Sequence, residues 1–439
     1  MSSATILHKL KPAARIGEEL LAELGCRASL LGQSDHPALA WRRAGLFALS
    51  GHKDGPARMV PLPLATFVDG ALLALKSLSG DPEKLPINGS LLLGERARIL
   101  DMSRNGRASP SGHCRLIDAR QGRFALNLAR DDDWTLLEAW LEEPATTWGD
   151  VGRIAKARDA AALVQRGAEI GLAISLDQLP GSQPWFAETA FPPVRPGRTR
   201  PLVADLSSLW AGPLASNLLQ RMGAHVVKVE SISRPDGARR GNTEFYHLLN
   251  GGKRCAAFDF AAPDGRRDLQ KLLAAADIVI EGSRPRALRQ LGIDAEQLLA
   301  QRPGKVWLRL AAYGDDETRV GFGEDIGVAA GLSTIMEQAW GKPFFAGDAI
   351  ADPVSGILAA LAAWTKWQAG GGSFIRLSMR DAVARAIQLN GTGNDWPSIA
   401  SEWQALAEAD DAELYPMRQP SAPIEQLGAS TRQIMDGLC

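Results

Sequence analysis

Cysteine is scarce in this chain of 439 residues, and the few cysteines present form no recognisable site. The four are Cys26, Cys114, Cys255 and Cys439, and no two of them have the C-x-x-C spacing of a metal or redox motif. The sequence therefore predicts no bound metal. Its cysteine usage is typical of a protein from a reducing cytoplasm.

An excess of one charge and long apolar runs are missing as well. Basic residues number 49 and acidic residues 50, so the formal net charge of −1 favours neither nucleic acid nor a membrane surface as a partner. No run of eighteen apolar residues occurs, and residues 1–25 have no signal-peptide core. We expect a soluble cytoplasmic protein.

The glycine fingerprint of classical dinucleotide binding is missing where it would be expected. Residues 201–207 predict a short buried strand, a turn at 210–213 leads into a helix, and residues 225–230 predict a second strand. This order makes a βαβ unit with parallel strands. Because the turn reads W-A-G-P and not G-x-G-x-x-G, we expect a Rossmann-like sheet without a classical dinucleotide site.

Several short motifs accompany this turn in a fixed order. They are D-L-S-S-L-W-A-G-P at 205–213, M-G-A-H-V-V-K-V-E at 222–230, N-G-G-K-R at 250–254, F-D-F at 258–260, A-D-I-V-I-E at 276–281, R-P at 284–285 and L-G at 291–292. Together they resemble the class III coenzyme A transferases, the CaiB/BaiF family, which includes formyl-CoA transferase and α-methylacyl-CoA racemase. The resemblance implies an α/β fold with a Rossmann-like parallel-sheet large domain and a smaller α+β domain.

The resemblance also divides the chain into four parts. Residues 200–390 are the expected large domain, residues 112–190 the small α+β domain, and residues 391–439 a C-terminal tail. Residues 1–111 predict a helical segment with a degenerate half-copy of the large domain. In the family the small domain usually follows the large one, so this chain has a permuted or partly duplicated order.

The half-copy is seen when Gly45 is aligned with Gly331 and Gly70 with Gly356, because an apolar helix then follows in both segments. Thr66 falls opposite Asp352 in this comparison, which predicts one site per chain. The alternative is that two apolar helices follow two Gly/Pro turns by coincidence.

Asp352, in the run A-D-P-V-S-G, is the first candidate for chemistry. An acid followed by proline at the start of an apolar helix is typical of a helix cap, and spacing alone favours that role. The resemblance implies otherwise, because family members carry a catalytic aspartate four residues before a glycine, here Gly356. Asp348 is a rival, since it keeps the family distance to the glycine turn at 370–372.

Glu324 is the second candidate. It occupies the position where racemases of the family carry a histidine and relatives of formyl-CoA transferase carry an acid, and no histidine follows His247. The resemblance therefore implies transferase chemistry. From the residues alone, Glu324 and Asp325 are equally typical of a solvated helix N-terminus.

Coenzyme A requires cations for its phosphates and a flat apolar slot for its adenine. The candidates lie after predicted strands, where open α/β sheets bind ligands. They are Leu209, Trp210, Ala211, Arg234, Lys253, Arg254, Ser283, Arg284 and Arg286. Trp210, Phe322 and Trp340 together would favour an apolar or ring-bearing acyl group.

The resulting hypothesis is an acyl-CoA:carboxylate CoA-transferase that works through an aspartyl intermediate, with acyl-CoA and a carboxylic acid as small-molecule partners. Oxyanion donors are expected at the turn 370–372 or at the start of the helix over 354–367. An acyl-CoA racemase using Asp352 and Glu324 and a silent CoA-binding protein remain as alternatives. The resemblance further implies a homodimer.

Overall fold

The structure is a computed structural model that describes residues 10–283, 285–316, 318–389 and 395–438. The strands are β1 Cys114–Asp118, β2 Arg123–Asn127, β3 Ala173–Leu176, β4 Phe186–Ala190, β5 Leu202–Asp205, β6 His225–Ser231, β7 Arg254–Phe258, β8 Ile278–Glu281, β9 Val306–Ala311 and β10 Ser373–Ser378. The α-helices are α1 Ala13–Glu23, α2 Pro37–Arg43, α3 Leu64–Ser77, α4 Ser90–Ile99, α5 Leu137–Leu141, α6 Trp148–Ala155, α7 Ala160–Glu169, α8 Ala211–Arg221, α9 Thr243–Asn250, α10 Pro263–Ala275, α11 Pro285–Gln290, α12 Ala295–Gln301, α13 Gly323–Ala329, α14 Leu332–Trp340, α15 Ala351–Gln368, α16 Met379–Leu389, α17 Trp396–Ala409 and α18 Thr431–Asp436.

A seven-stranded sheet of order β4-β10-β9-β8-β5-β6-β7 forms the centre of the large domain. All of its neighbouring strands are parallel except the edge strand β4, which runs antiparallel to β10. The predicted βαβ unit is present as β5, α8 and β6. The predicted α/β class with a parallel sheet is therefore confirmed.

A second, three-stranded sheet of order β1-β2-β3 is antiparallel throughout. Helices α5, α6 and α7 cover it, and they share a hydrophobic cluster with it that is separate from the main core. Strand β4, which the sequence division assigned to residues 112–190, pairs with β10 of the larger sheet.

The N-terminal helices pack into the same core as the large domain. Within it, α1 packs on α3 and α8 packs on α15. The two pairs meet at matching glycines. A Cβ at Gly70 would lie 2.5 Å from the carbonyl oxygen of Ala13, and a Cβ at Gly356 would lie 2.7 Å from that of Ala211. In each pair, a glycine of one helix lets the start of the other helix approach closely, and the half-copy stays a prediction.

The C-terminal tail is held against both halves of the molecule. Arg418 is buried, and its guanidinium donates to both carboxylate oxygens of Glu95 on α4 and, at 2.9 Å, to Oδ1 of Asn217 on α8. Among the described residues, no helix combines the length and apolar character needed to cross a bilayer.

Candidate active site

A cavity of about 1150 Å³ lies where the N-terminal segment, the small sheet and the ends of the large-sheet strands meet. A second cavity of about 320 Å³ shares part of its lining. The residues common to both are Arg130, Ser208, Leu209, Ser283, Phe322 and Asp352. Asp352 is thus a carboxyl group that belongs to both cavities.

Asp352 lies in the first turn of α15, but it does not cap that helix. The N-cap residue is Ile350, and no side chain caps this end. The carboxyl group of Asp352 instead lies near the backbone N–H groups of Ala211 and Gly323, which begin α8 and α13 and lower its pKa. The interpretation of Asp352 as the cap of α15 is therefore wrong, because its side chain faces the starts of two other helices and not the N-terminus of its own.

Two glycines make this placement possible. A Cβ at Gly323 would lie 2.0 Å from Oδ2 of Asp352 and 2.4 Å from the carbonyl oxygen of Ala349. Gly356, four residues after the aspartate, lets α15 approach Ala211 of α8 closely. The D-x-x-x-G spacing thus has a physical role, since the glycine brings the helix that carries the carboxyl group against the helix whose first N–H lowers its pKa.

The environment of Asp352 sets its protonation. Burial raises its pKa from the ordinary value of 3.8 to about 7, and nearby Asp348 acts in the same direction. Arg96 and the two N–H groups oppose this rise. The side chain is therefore not fully ionised at neutral pH, in contrast to an exposed aspartate.

Asp348, the rival candidate, is enclosed. Its side chain has no solvent exposure, and Nη1 of Arg96 donates to its two oxygens at 3.0 and 3.2 Å. Burial raises its pKa to about 6, against the attraction of Arg96. Asp348 does not belong to the lining described for either cavity.

Glu324 lines the larger cavity from the first turn of α13. Its Oε1 accepts a hydrogen bond from Oγ of Ser111 at 2.6 Å, and burial raises its pKa. Glu324 and Asp325 are only 8% and 0% exposed. The interpretation of this pair as a solvated helix terminus is therefore wrong.

Residues 201–413 match the sequence model of the family described as CoA-transferase family III. The matched segment contains Asp352, Glu324 and every strand of the large sheet except β4. This segment therefore carries the sequence pattern of CoA-transferase family III. The family resemblance inferred from the motifs is confirmed.

Curated relatives are similar over part of their length. A succinate–glutarate CoA-transferase of Agrobacterium fabrum is 31% identical over 182 residues, which is 37% of this chain and 46% of the relative. A succinyl-CoA–D-citramalate CoA-transferase of Chloroflexus aurantiacus is 28% identical over 224 residues, or 45% of this chain and 56% of the relative. The chain thus spans about half the length of the curated relatives it matches.

Solved structures match a similar share of the chain. A hypothetical protein from Mycobacterium tuberculosis is 29% identical, with a TM-score of 0.40 over 45% of this chain and 58% of the other. A CaiB/BaiF family protein from Brucella suis is 26% identical, with a TM-score of 0.40 over 46% of this chain and 59% of the other.

Five of the predicted coenzyme A residues of the family III segment line these cavities. They are Leu209, Trp210, Ala211, Arg234 and Ser283. Leu209 has a φ of 68°, a conformation that costs a non-glycine residue energy and that recurs at functional sites. Trp210 is buried, lies edge-on to Phe245 at 5.2 Å, and has a buried Nε1 without a partner among the described residues.

The structure does not bring Lys253 and Arg254 to the cavities. Lys253 is buried and donates to Oδ2 of Asp205 at 3.2 Å and to Oγ of Ser216 at 2.7 Å, so its charge is used inside the fold. Arg254 donates to Oε1 of Gln433 on the tail helix. Arg284 and the side chain of Arg286 lie outside the described residues.

The structure does not bring Trp340 or the N–H groups of Gly371 and Gly372 to the roles that the sequence predicted for them. Trp340 donates from Nε1 to the carbonyl oxygen of Met59 and is not part of the described lining of the two cavities. In the glycine turn at 370–372, the N–H groups of Gly371 and Gly372 bond to the carbonyls of Lys366 and Lys305. They are therefore already engaged and do not serve as oxyanion donors.

Sequence reasoning missed the contribution of the other parts of the chain. Arg96 and Ser111 line the larger cavity from the N-terminal segment, and Asn127 and Arg130 line it from the small sheet. Arg96 lies in a run, E-R-A-R, that is typical of an exposed helix face. No local signal marks it, because its role follows from the packing of α4 against the large domain.

Proposed function

We propose that this protein is an acyl-CoA:carboxylate CoA-transferase whose nucleophile is Asp352. One observation carries the proposal. The carboxyl group of Asp352 lies at the wall common to both cavities, against Gly323 at the start of α13 and inside the family III segment. A fixed carboxyl group beside space for a ligand is the arrangement that nucleophilic catalysis requires.

In the proposed reaction, a carboxylate oxygen of Asp352 attacks the thioester carbonyl carbon. The carbon–sulfur bond breaks, coenzyme A leaves as a thiolate, and a mixed anhydride forms on Asp352. The thiolate then attacks the aspartyl carbonyl, which releases the donor acid and leaves an aspartyl thioester. The acceptor carboxylate repeats these two steps in reverse, so that Asp352 is regenerated and a new acyl-CoA departs.

The surroundings of Asp352 suit this chemistry. Burial makes its carboxylate less solvated than an exposed one, which favours attack on a neutral carbonyl carbon. The N–H groups of Ala211 and Gly323 are preorganised donors for oxygen atoms that carry negative charge during the steps. Holding the coenzyme A thiolate in the cavity keeps it at high effective concentration for its return.

Coenzyme A is proposed to enter through the larger cavity. Arg234 and Arg240 are exposed at its lining and supply cations for phosphate groups. Trp210 and Phe322 provide apolar surface on the same lining, and we propose that the acyl group lies against them. The names of the relatives make succinyl-CoA the first donor to test.

A racemase is the second candidate, and a specific observation favours it. Asp352 and Glu324 line the same cavity, and burial raises the pKa of both carboxyl groups, as an acid–base pair requires. Proton removal next to the thioester would exchange that hydrogen with solvent, whereas CoA transfer would not.

The test is to incubate the enzyme with an acyl-CoA panel and free carboxylic acids in D₂O and to identify the products by mass spectrometry. The proposal expects a new acyl-CoA that depends on the added acid and carries no deuterium. Deuterium in recovered acyl-CoA without transfer would establish the racemase, and coenzyme A binding with neither reaction would favour the silent binding protein. The homodimer stays a prediction, which light scattering would check.

A further inference from the structure

We infer that Arg96, supplied by the N-terminal segment, is the positioning residue that sets the charge of Asp352 and thereby controls the proposed transfer step. This inference rests on the proposed function. It also gives the degenerate half-copy a role, since a residue outside the family III segment would govern the nucleophile inside it.

Arg96 shares the lining of the larger cavity with Asp352 and Glu324 and contacts residues on both sides of Asp352. It projects from α4, lines the larger cavity and holds Asp348 through Nη1 at 3.0 Å. Its guanidinium carbon lies 5.5 Å from the ring centroid of Trp210, the residue directly before Ala211. Arg96 therefore touches both neighbours of the Asp352 pocket, namely the loop that leads into α15 and the start of α8.

The charges around Asp352 show why this guanidinium matters. Arg96 attracts the carboxyl groups of half-buried Asp352 and of buried Asp348 and Glu324, and it lowers the pKa of each. Asp348 raises the pKa of Asp352, and α8 contributes a backbone N–H. One cation thus offsets the burial of several acids.

Other arginines line the smaller cavity with Asp352, but each has a recorded partner elsewhere. Arg130 donates to Asp133 at 2.8 Å, Arg309 to Glu281 at 2.7 Å, and Arg319 to the carbonyl of Ile174 at 3.1 Å. Arg96 pairs with Asp348, and it also lowers the pKa of Asp352.

The sign of the effect follows directly. The nucleophile is the ionised form of Asp352, so its rate falls as pH drops through the pKa. Removing Arg96 removes an attraction that favours the ionised form of Asp352. The fall in rate then occurs at higher pH. Removing the charge of Asp348 removes a repulsion and moves it to lower pH.

The experiment measures kcat/KM for an acyl-CoA donor from pH 5 to pH 9.5 in the wild type, Arg96→Gln, Arg96→Lys and Asp348→Asn. We expect the acid limb of Arg96→Gln to move up by about one to two pH units, with about tenfold loss at pH 7 and recovery near pH 9. Arg96→Lys should restore most of the wild-type profile. Asp348→Asn should move the limb in the opposite direction.

The controls separate the possible failures. Circular dichroism confirms folding, and because Arg96→Gln leaves Asp348 unpaired, the double variant Arg96→Gln/Asp348→Asn repeats the test, with a limb expected between those of its parents. No transfer by the wild type at any pH contradicts the proposed function. Wild-type transfer with equal acid limbs in folded Arg96→Gln, Arg96→Lys and the double variant overturns the role of Arg96, as does loss that high pH does not recover.

Discussion

Replacing Asp352 by asparagine removes the proposed nucleophile and is expected to stabilise the fold. Burial raises the pKa of this carboxyl group from 3.8 to about 7, so the folded state binds the proton more tightly than the unfolded state. The contribution of Asp352 to the free energy of unfolding is then highest below pH 4, and it falls as the pH rises from about 4 through 7. Asparagine carries no charge and escapes that loss.

The magnitude follows from the size of the pKa change. One pKa unit corresponds to about 1.4 kcal/mol, so keeping Asp352 ionised costs the folded state at most about 4 kcal/mol at pH 8. The carboxyl group is only partly shielded from solvent, and asparagine keeps one oxygen near the N–H groups of Ala211 and Gly323. We therefore expect a net gain of about 1–3 kcal/mol at pH 8 and a smaller gain at pH 5.

Chemical denaturation of the wild type and Asp352→Asn at pH 5 and pH 8 checks this expectation. Glu296→Gln, which removes an exposed carboxyl group from α12, is the matched control. Its free energy of unfolding should differ little from that of the wild type at either pH. A gain for Asp352→Asn that is equal at the two pH values would refute the reasoning. Lower stability than the wild type at pH 8 would do so as well.

Three other substitutions test the geometry. Gly323→Ala places a Cβ 2.0 Å from Oδ2 of Asp352, so we expect at least tenfold loss of transfer and about 1–3 kcal/mol of destabilisation. Gly80→Ala is the control and should be neutral in both assays, because its Cβ meets nothing within 4 Å. Lys253→Met strips a buried partner from Asp205 and should lower the free energy of unfolding by about 3–5 kcal/mol in denaturant titrations; a neutral result would contradict the buried pair. Arg254→Ala should leave the KM for acyl-CoA unchanged, and a severalfold rise would return Arg254 to the coenzyme A site.

The parts of the fold that local sequence determines were predictable. Strands β5 and β6 and helix α8 follow from apolar runs and a turn, and the predicted helix over 354–367 forms but begins earlier, at Ala351. Asp352 could be proposed because the family resemblance includes the local spacing from this aspartate to Gly356. The reason for that spacing could not, since it depends on the contact of Gly356 with Ala211 on another helix.

The residues that sequence reasoning misplaced or missed share one cause. The sequence predicts that Lys253 follows a strand as a phosphate-binding lysine would, but it lies between α9 and β7 and its amine pairs with buried Asp205. Arg96 lies in a stretch without a motif and reaches Asp348 across 252 positions of sequence. Such pairings depend on tertiary contacts, which neither periodicity nor spacing encodes.

The central claim is that Asp352 forms a covalent intermediate with the substrate. The most direct measurement is peptide mass spectrometry after the protein is mixed with acyl-CoAs and quenched with hydroxylamine, which converts an aspartyl anhydride or thioester into a stable hydroxamate. The account predicts a hydroxamate on Asp352 that is absent from Asp352→Asn. A hydroxamate on Asp348, or none with any thioester under conditions in which transfer occurs, would contradict it.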